Sequence, residues 1–242
     1  MSGKHDFSNA DVSSRKSKSR EQRSPEEIKV EGLSAIDTRF KEAMNDIQGL
    51  SKIYEKLSAE DEGNEIDSDV KNSLQELLRS QILLMESALD LYMHEVSKFG
   101  ISKIFNKHPH WPETTMFRDY KVSLGTLKEV YDGKKDSRSM ANMIANMLQY
   151  SSYMKFDSII QQLIMIGVIK SDDQVPSDIE AFRPTITELN DRRNIIAHAS
   201  DRDFKKDFLG RKQKIEHSEV QHFYTELEKF EGVIQTYIVK KD

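Results

Sequence analysis

The chain has 242 residues, a net charge of −5, 37% hydrophobic and 32% charged residues. That length holds one large domain or two small ones, and that balance fits a helical protein with long solvated faces better than a membrane protein or a β-sandwich. Ten glycines and five prolines are few for an all-β fold, the net negative charge rules out polyanion binding by bulk charge, and the lack of cysteine rules out disulfides, thiolate metal sites and cysteine nucleophiles.

Absence of cysteine also fits a reducing, cytoplasmic setting. Residues 1–23 are polar with no apolar h-region, so they do not read as a secretory signal. The longest apolar run, Leu163 to Ile169, is far short of the ~20 residues that span a bilayer, so no membrane association is expected.

Residues 1–24 carry Ser, Lys, Arg and Asp with little to bury, and read as a disordered basic arm. Ser24-Pro25-Glu26-Glu27 has the form of a helix start: a capping serine, proline at the first helical position, and a glutamate completing a capping box. Ile36, Phe40, Met44, Ile47, Leu50, Tyr54 and Leu57 then form one apolar stripe. This helix, residues 25–64 with its end near Glu62-Gly63-Asn64, reads as an extension on a domain spanning 65–242.

Ser68 opens a second helix that is apolar on more than one face from Ile82 onward, the mark of a buried central element. Gly100 is expected to stop it. Glu86, Asp90 and His94 fall at i, i+4 and i+8, one polar line along this element. It is either a solvated seam or a line of acids facing an arginine. His108-Pro109-His110-Trp111-Pro112 reads as a structured loop, since two histidines without a third ligand make a poor metal site. A third helix is expected over Met116 to Tyr131. Asp132 to Asp136 reads as a linker, and Met140, Met143, Ile144, Met147 and Leu148 as adaptable helical core. After a break at Tyr150 to Tyr153, Phe156, Ile159, Ile160, Leu163, Ile164 and Ile166 continue the pattern. Residues 170–183 read as a polar loop, and Pro184 starts the next helix. Ser218, with Gln221 three residues on, opens the last one. Neither strand alternation nor an internal repeat is present.

The stretch Asp191 to Asp201 concentrates the chemistry. Asn194 and His198 are four apart on a helix and share a face, whereas Arg193 and His198 diverge by ~140°. They can meet on one phosphate if the helix ends near His198, or if a second copy faces the first. A guanidinium holds phosphate and stabilises the charge that develops on it. An imidazole passes a proton near neutral pH. Together they suffice for RNA cleavage by the ribose 2′-hydroxyl, with no metal or other cofactor. The plain alternative is that Arg193 and His198 are cations suited to a helix C-terminus. Residues 202–214 are locally basic, so Arg202, Lys205, Lys206, Arg211 and Lys212, with Arg192 in the motif itself, are candidate RNA-backbone contacts. An ordinary solvated loop would look the same.

Arg193-Asn194-Ile195-Ile196-Ala197-His198 resembles the Arg-x4-His motif of the HEPN superfamily, with Asn194 as the polar residue that typically follows the arginine. Leu189 to His198 is similar to the RiboL-PSP and MAE_28990-like branches. Leu83 to Tyr92 resembles the family's early helix, with an acid before an aromatic, and Phe156 to Gly167 resembles the helix before the motif. The likeness covers roughly residues 70 to 240. It implies an all-α bundle of four or five core helices, a homodimer with both motifs in one cleft, and a metal-independent endoribonuclease leaving a 2′,3′-cyclic phosphate and a 5′-hydroxyl. Arg193 would bind the scissile phosphate, His198 would act as acid or base, and Asn194 would orient one of them, with Glu86 or Asp90 as supporting acid. A defence or toxin role, with a cognate regulator or antitoxin, follows by family analogy alone. Ser200 stands where some toxin members carry a tyrosine. A catalytically silent HEPN module that dimerises or holds RNA or nucleotide is the alternative.

Overall fold

The computed structural model describes residues 31–59, 68–125, 128, 153–202 and 212–241. In chain order the elements are α1 (Leu33–Ala59), α2 (Ser68–Phe105), α3 (Thr115–Arg118), α4 (Phe156–Met165), a 3-10 turn (Asp172–Gln174), α5 (Ser177–Glu180), α6 (Arg183–Ala199) and α7 (His217–Lys241). The fold is all-α, and no strand occurs among the described residues. One isolated antiparallel bridge joins Arg202 to Lys212. No helix among the described residues is long and apolar enough to cross a membrane.

α1 begins at Leu33: the Gly32 carbonyl accepts the N–H groups of Ala35 at 3.0 Å and Ile36 at 3.3 Å. A glycine is a poor helix residue, and the chain uses it to enter the first turn. The cap at Ser24 to Glu27, the arm before it and the helix end at Glu62 to Asn64 lie outside the described residues. Ile36, Phe40, Met44 and Ile47 are buried in the same core as α2 and α7. Beyond Ile47 its stripe shifts. Ser51 is buried, while Ile53 and Leu57 face solvent. The Ser51 hydroxyl donates to Gln81 Oε1 at 2.5 Å and accepts from Gln221 Nε2 at 2.8 Å. A buried polar group must be paired, and this one ties α1, α2 and α7 together.

α2 is the axis of the molecule, 38 residues long, or ~57 Å at the α-helical rise. Leu78, Ile82, Met85, Leu89, Tyr92, Met93 and Val96 are almost fully buried along it. Each such side chain contributes roughly 1.5–3 kcal/mol of apolar transfer. Gly100 does not end it. The helix runs on to Phe105, and a Cβ at Gly100 would lie 2.7 Å from Ile166 Cβ. The missing side chain lets the chain after α4 press against α2.

α3 is a single turn instead of the helix expected to Tyr131. Thr114 caps it, its Oγ1 accepting from Phe117 N–H at 3.1 Å and donating to the Met165 carbonyl at 2.8 Å. The chain is out of the helix from Tyr120 to Ser123, where Val122 stands 48% exposed, and is helical again at Leu124, Gly125 and Lys128; residues 126–127 and 129–131 lie outside the described residues. The linker Asp132 to Asp136 and the methionine-rich stretch Met140 to Leu148 lie outside the described residues. Trp111 anchors the preceding loop, buried edge-on against Phe99. Residues 170–182 are more than a polar loop, since α5 buries Ile179 and Phe182 packs on Phe230 at 5.4 Å. α7 starts at His217, one residue before Ser218. Gln221 spends its amide on Ser51 and His217 rather than on a capping box.

Gly100→Ala should destabilise the fold by about 1–3 kcal/mol, since overpacking against Ile166 outweighs the ~1 kcal/mol that alanine gains in helix propensity. Urea unfolding measures the difference. A variant as stable as the parent would show that this contact relaxes freely.

Candidate active site between α2 and α6

α6 is a continuous helix through the whole motif and ends one residue past His198. Ser200 and Asp201 both take positive φ, 50° and 60°, and turn the chain sharply, with the Asp201 N–H reaching back to the Ile195 carbonyl at 3.0 Å. This turn carries the Asp201 side chain into the protein, where it is wholly buried. There it meets two guanidinium groups. Arg79 of α2 donates Nε at 2.6 Å, and Arg192 of α6 donates Nη1 and, at 3.3 Å, Nη2. Arg79 Nη2 also donates to the Gln213 carbonyl at 2.6 Å, and the Gln213 N–H donates to the Asp201 carbonyl at 2.8 Å. Asp201 therefore fastens the end of α6 to α2 and holds both ends of the basic segment close together.

Arg192 is thus not a phosphate contact. It is 8% exposed, bound to Asp201 and within 3.5 Å of Glu219. Its register on α6 turns it into the bundle, whereas Arg193, one residue on, reaches the seam. Asp201 and Arg79 were missing from the set of candidate residues. Their signal in the sequence is thin: an arginine inside the most apolar helix needs a buried partner.

Arg193 Nε meets Glu86 Oε2 at 2.6 Å, the arginine 26% exposed and the glutamate 2%. Its Nη1 donates to Asn194 Oδ1 at 3.2 Å, and Asn194 Nδ2 donates to Asn190 Oδ1 at 3.3 Å. Nη2 has no partner among the described residues. The guanidinium is thus braced at Nε and Nη1, and Nη2 is left to donate to an anion. Glu86 Oε1 is buried with no hydrogen bond. Burial pushes the Glu86 carboxyl up to about 7; Arg193 opposes the rise and Asp90 adds to it. The 2.6 Å contact by itself would favour the ionised acid, but burial outweighs it, so the Glu86 charge changes near neutral pH.

One turn along α2, Asp90 accepts the Tyr153 N–H at 2.7 Å and lies 3.5 Å from His94 Nε2. Burial works to raise its pKa, but His94, the Tyr153 N–H and Arg193 outweigh burial and hold the carboxyl below its usual value. Glu86 and Asp90 are therefore unequal acids: one titrates near neutrality, the other stays charged.

His198 is exposed in the last turn of α6 and forms no hydrogen bond or ion pair with the described residues. With the helix intact to Ala199, Arg193 and His198 sit ~7.5 Å apart along the axis and ~140° around it. One α6 does not bring them onto the same atom. Of the basic segment, Lys205, Lys206 and Arg211 lie outside the described residues. Arg202 is exposed at the bridge to Lys212. Lys212 pairs with Glu76 at 2.5 Å and joins Lys71, Arg79 and Lys214 around a cleft of about 940 Å³ beside Tyr54. Among the described residues no group of three or more His, Asp or Glu is placed to hold a metal ion.

The model of one protein family, RiboL-PSP-HEPN, matches residues 38–238. The chain belongs to that family. The match takes in most of α1, further than the stretch from about residue 70 on which the motifs carry the likeness, and this agrees with the place of α1 in the HEPN core. No curated protein and no solved structure matches this HEPN chain.

Two outcomes follow for the buried charges. Asp201→Asn should cost about 3–5 kcal/mol, because Arg79 and Arg192 would be left facing each other without their carboxylate; chemical denaturation of variant and parent measures it. Glu86 holds its proton in the folded chain up to a higher pH than in the unfolded one, so the folded state loses stability as pH rises from about 4.5 to about 7. Glu86→Gln should remove that part of the slope, on the order of 1–3 kcal/mol across the window. Melting curves at pH 5 and pH 8 test this, and identical slopes in both proteins would refute it.

Proposed function

We propose that this HEPN chain is an endoribonuclease that acts without a metal, its site completed by a second copy. The observation that carries the reading is the Arg193 clamp. Its guanidinium is fixed by Glu86 and Asn194, keeps Nη2 without a partner among the described residues, and shares α6 with the exposed His198. Arg193 binds the scissile phosphate and neutralises the charge that builds on it. His198 moves a proton. The ribose 2′-hydroxyl attacks phosphorus, and the products are a 2′,3′-cyclic phosphate and a 5′-hydroxyl end. Since one helix splays the two residues apart, an isologous pairing of two copies supplies the missing half of each site. The cleft with Lys71, Lys212 and Lys214 gives the RNA backbone a path at the end of the same seam. Family analogy places such an enzyme in defence or as a toxin, under a regulator or antitoxin.

A second reading has one observation in its favour. His198 has no described partner to orient it, which suits a HEPN module that binds RNA or nucleotide, or dimerises, without cleaving.

Incubating the full chain with RNA in EDTA, beside Arg193→Ala and His198→Ala, tests the enzyme. Each substitution should slow cleavage by roughly 100-fold or more, and the product ends should be cyclic phosphates. Equal cleavage by all three proteins, or no cleavage by any across varied RNAs and in cells expressing the chain, would leave the binding module. Sedimentation of the wild type should show a dimer.

A further inference from the structure

The cleft of about 940 Å³ lies between the last turns of α1, the first turns of α2 and residues 212–214. Lys71, Arg79, Lys212 and Lys214 line it, against one acid, Glu76. Glu76 is already engaged, by Lys212 at 2.5 Å and by Arg79 at 3.3 Å. Lys214 pairs with Glu216 at 2.8 Å, but both side chains are largely exposed, and such a pair holds little. Lys71 is exposed, with no partner among the described residues. Positive charge is therefore left over here, on a chain that is negative as a whole.

The walls are fixed before any ligand arrives. The Gln75 amide makes two hydrogen bonds to Ile215, donating to its carbonyl and accepting its N–H, both at 2.9 Å. Arg79 holds the Gln213 carbonyl at 2.6 Å. On the α1 side the Tyr54 ring is stacked on His217, with centroids 4.7 Å apart and planes 23° from parallel. His217 is held in turn by Gln221, whose amide also donates to Ser51. Cations alone would take any phosphate. An anchored aromatic ring among them suits a nucleotide, whose base stacks while its phosphates meet the lysines. The volume falls within the ~300–1,000 Å³ usual for organic ligands. A base inside a duplex is already stacked on its neighbours, so the ring selects an unpaired strand. An acidic protein segment would bring charge with no base to stack. Gln75, Arg79 and Glu86 fall within ~40° of one line on α2, and Gln75 lies ~16 Å from Glu86 along the axis. A strand that covers this span meets both the cleft and Arg193.

We propose that the cleft is a subsite for an unpaired RNA nucleotide, with Tyr54 stacking on the base and Lys71, Lys212 and Lys214 meeting the neighbouring phosphates. The proposal deepens the ribonuclease reading and rests on it for RNA as the ligand.

The test is equilibrium binding of the full chain to a short 2′-O-methyl RNA strand, which lacks the attacking hydroxyl and stays whole. The same strand as a duplex, an abasic version and a polyglutamate peptide are the other ligands. Tyr54→Leu, Tyr54→Phe and Lys71→Ala are the variants, with melting temperatures as a check on folding. The single strand should bind about 5- to 150-fold more tightly than the abasic one. Tyr54→Leu should lose that advantage and bind the abasic strand as before, while Tyr54→Phe keeps it. Lys71→Ala should weaken intact and abasic strands alike and lower the salt slope by about one. Equal binding of intact and abasic strands by wild type, a comparison that needs no variant, overturns the stacking site. So does a folded Tyr54→Leu that matches wild type. Tighter binding of polyglutamate than of RNA, lost in Lys71→Ala, would assign the cleft to an acidic protein partner instead. Cleavage of ordinary RNA by wild type is scored apart. If it occurs while binding ignores Tyr54 and Lys71, the subsite is wrong and the ribonuclease stands. If Tyr54 and Lys71 govern binding and nothing is cleaved, the subsite stands in a binding module and the ribonuclease falls.

Discussion

Charge buried along the contact of α2 with α6 is the constraint on which the rest depends. Asp201 has no exposure and neutralises Arg79 and Arg192 together. Two turns further along α2, Glu86 meets Arg193. Removing ions from water costs several kcal/mol each, and only close, well-formed pairs offset that cost. A register slip between the two helices would strand several charges at once. Apolar packing against α1 and α7 tolerates small shifts far better. The ion pairs therefore fix the rotation of α6, and with it which of two adjacent arginines is enclosed and which is offered to a ligand.

The same seam separates jobs among chemically similar groups. Arg192 is spent on the buried Asp201, while Arg193 keeps its Nη2 without a partner among the described residues. Asp90 stays ionised under His94, the Tyr153 N–H and Arg193, while the more deeply buried Glu86 titrates near neutrality. Environment, not residue type, divides the roles. The grip of Glu86 on Arg193 consequently loosens below neutral pH, where the acid takes up its proton and leaves the guanidinium to other anions.

Much of the fold is legible in the residues. The multi-faced apolarity of α2, the helical run from Phe156 and the proline at the start of α6 all read correctly, because each is local chemistry. Gly100 misled, since a glycine late in an apolar helix signals a stop, and only the approach of Ile166 from a distant segment reveals its use. Met116 to Tyr131 misled in part: the period runs on through Tyr120 to Ser123, where the described chain is out of the helix. At the site, the Arg-x4-His spacing and the acids at Glu86 and Asp90 stand out in the sequence, and Glu86 does meet Arg193. Asp201 was invisible as a partner of Arg79, 122 residues away. Which member of the Arg192-Arg193 pair faces inward depends on helix register, which a short motif does not encode.

The clasp at Asp201 has a further consequence, for how such a chain can change over time. The Arg202–Lys212 bridge and the Gln213 bonds tie the two flanks of the basic segment to each other and to α2. The bonds that seat α6 on α2 lie in Asp201 and these flanks, so the seat does not depend on the length or charge of the sequence between them. Closing a somewhat longer loop over a fixed stem costs only a fraction of a kcal/mol. The sequence between the flanks can thus diverge rapidly between relatives while the Asp201 clasp stays under strict constraint.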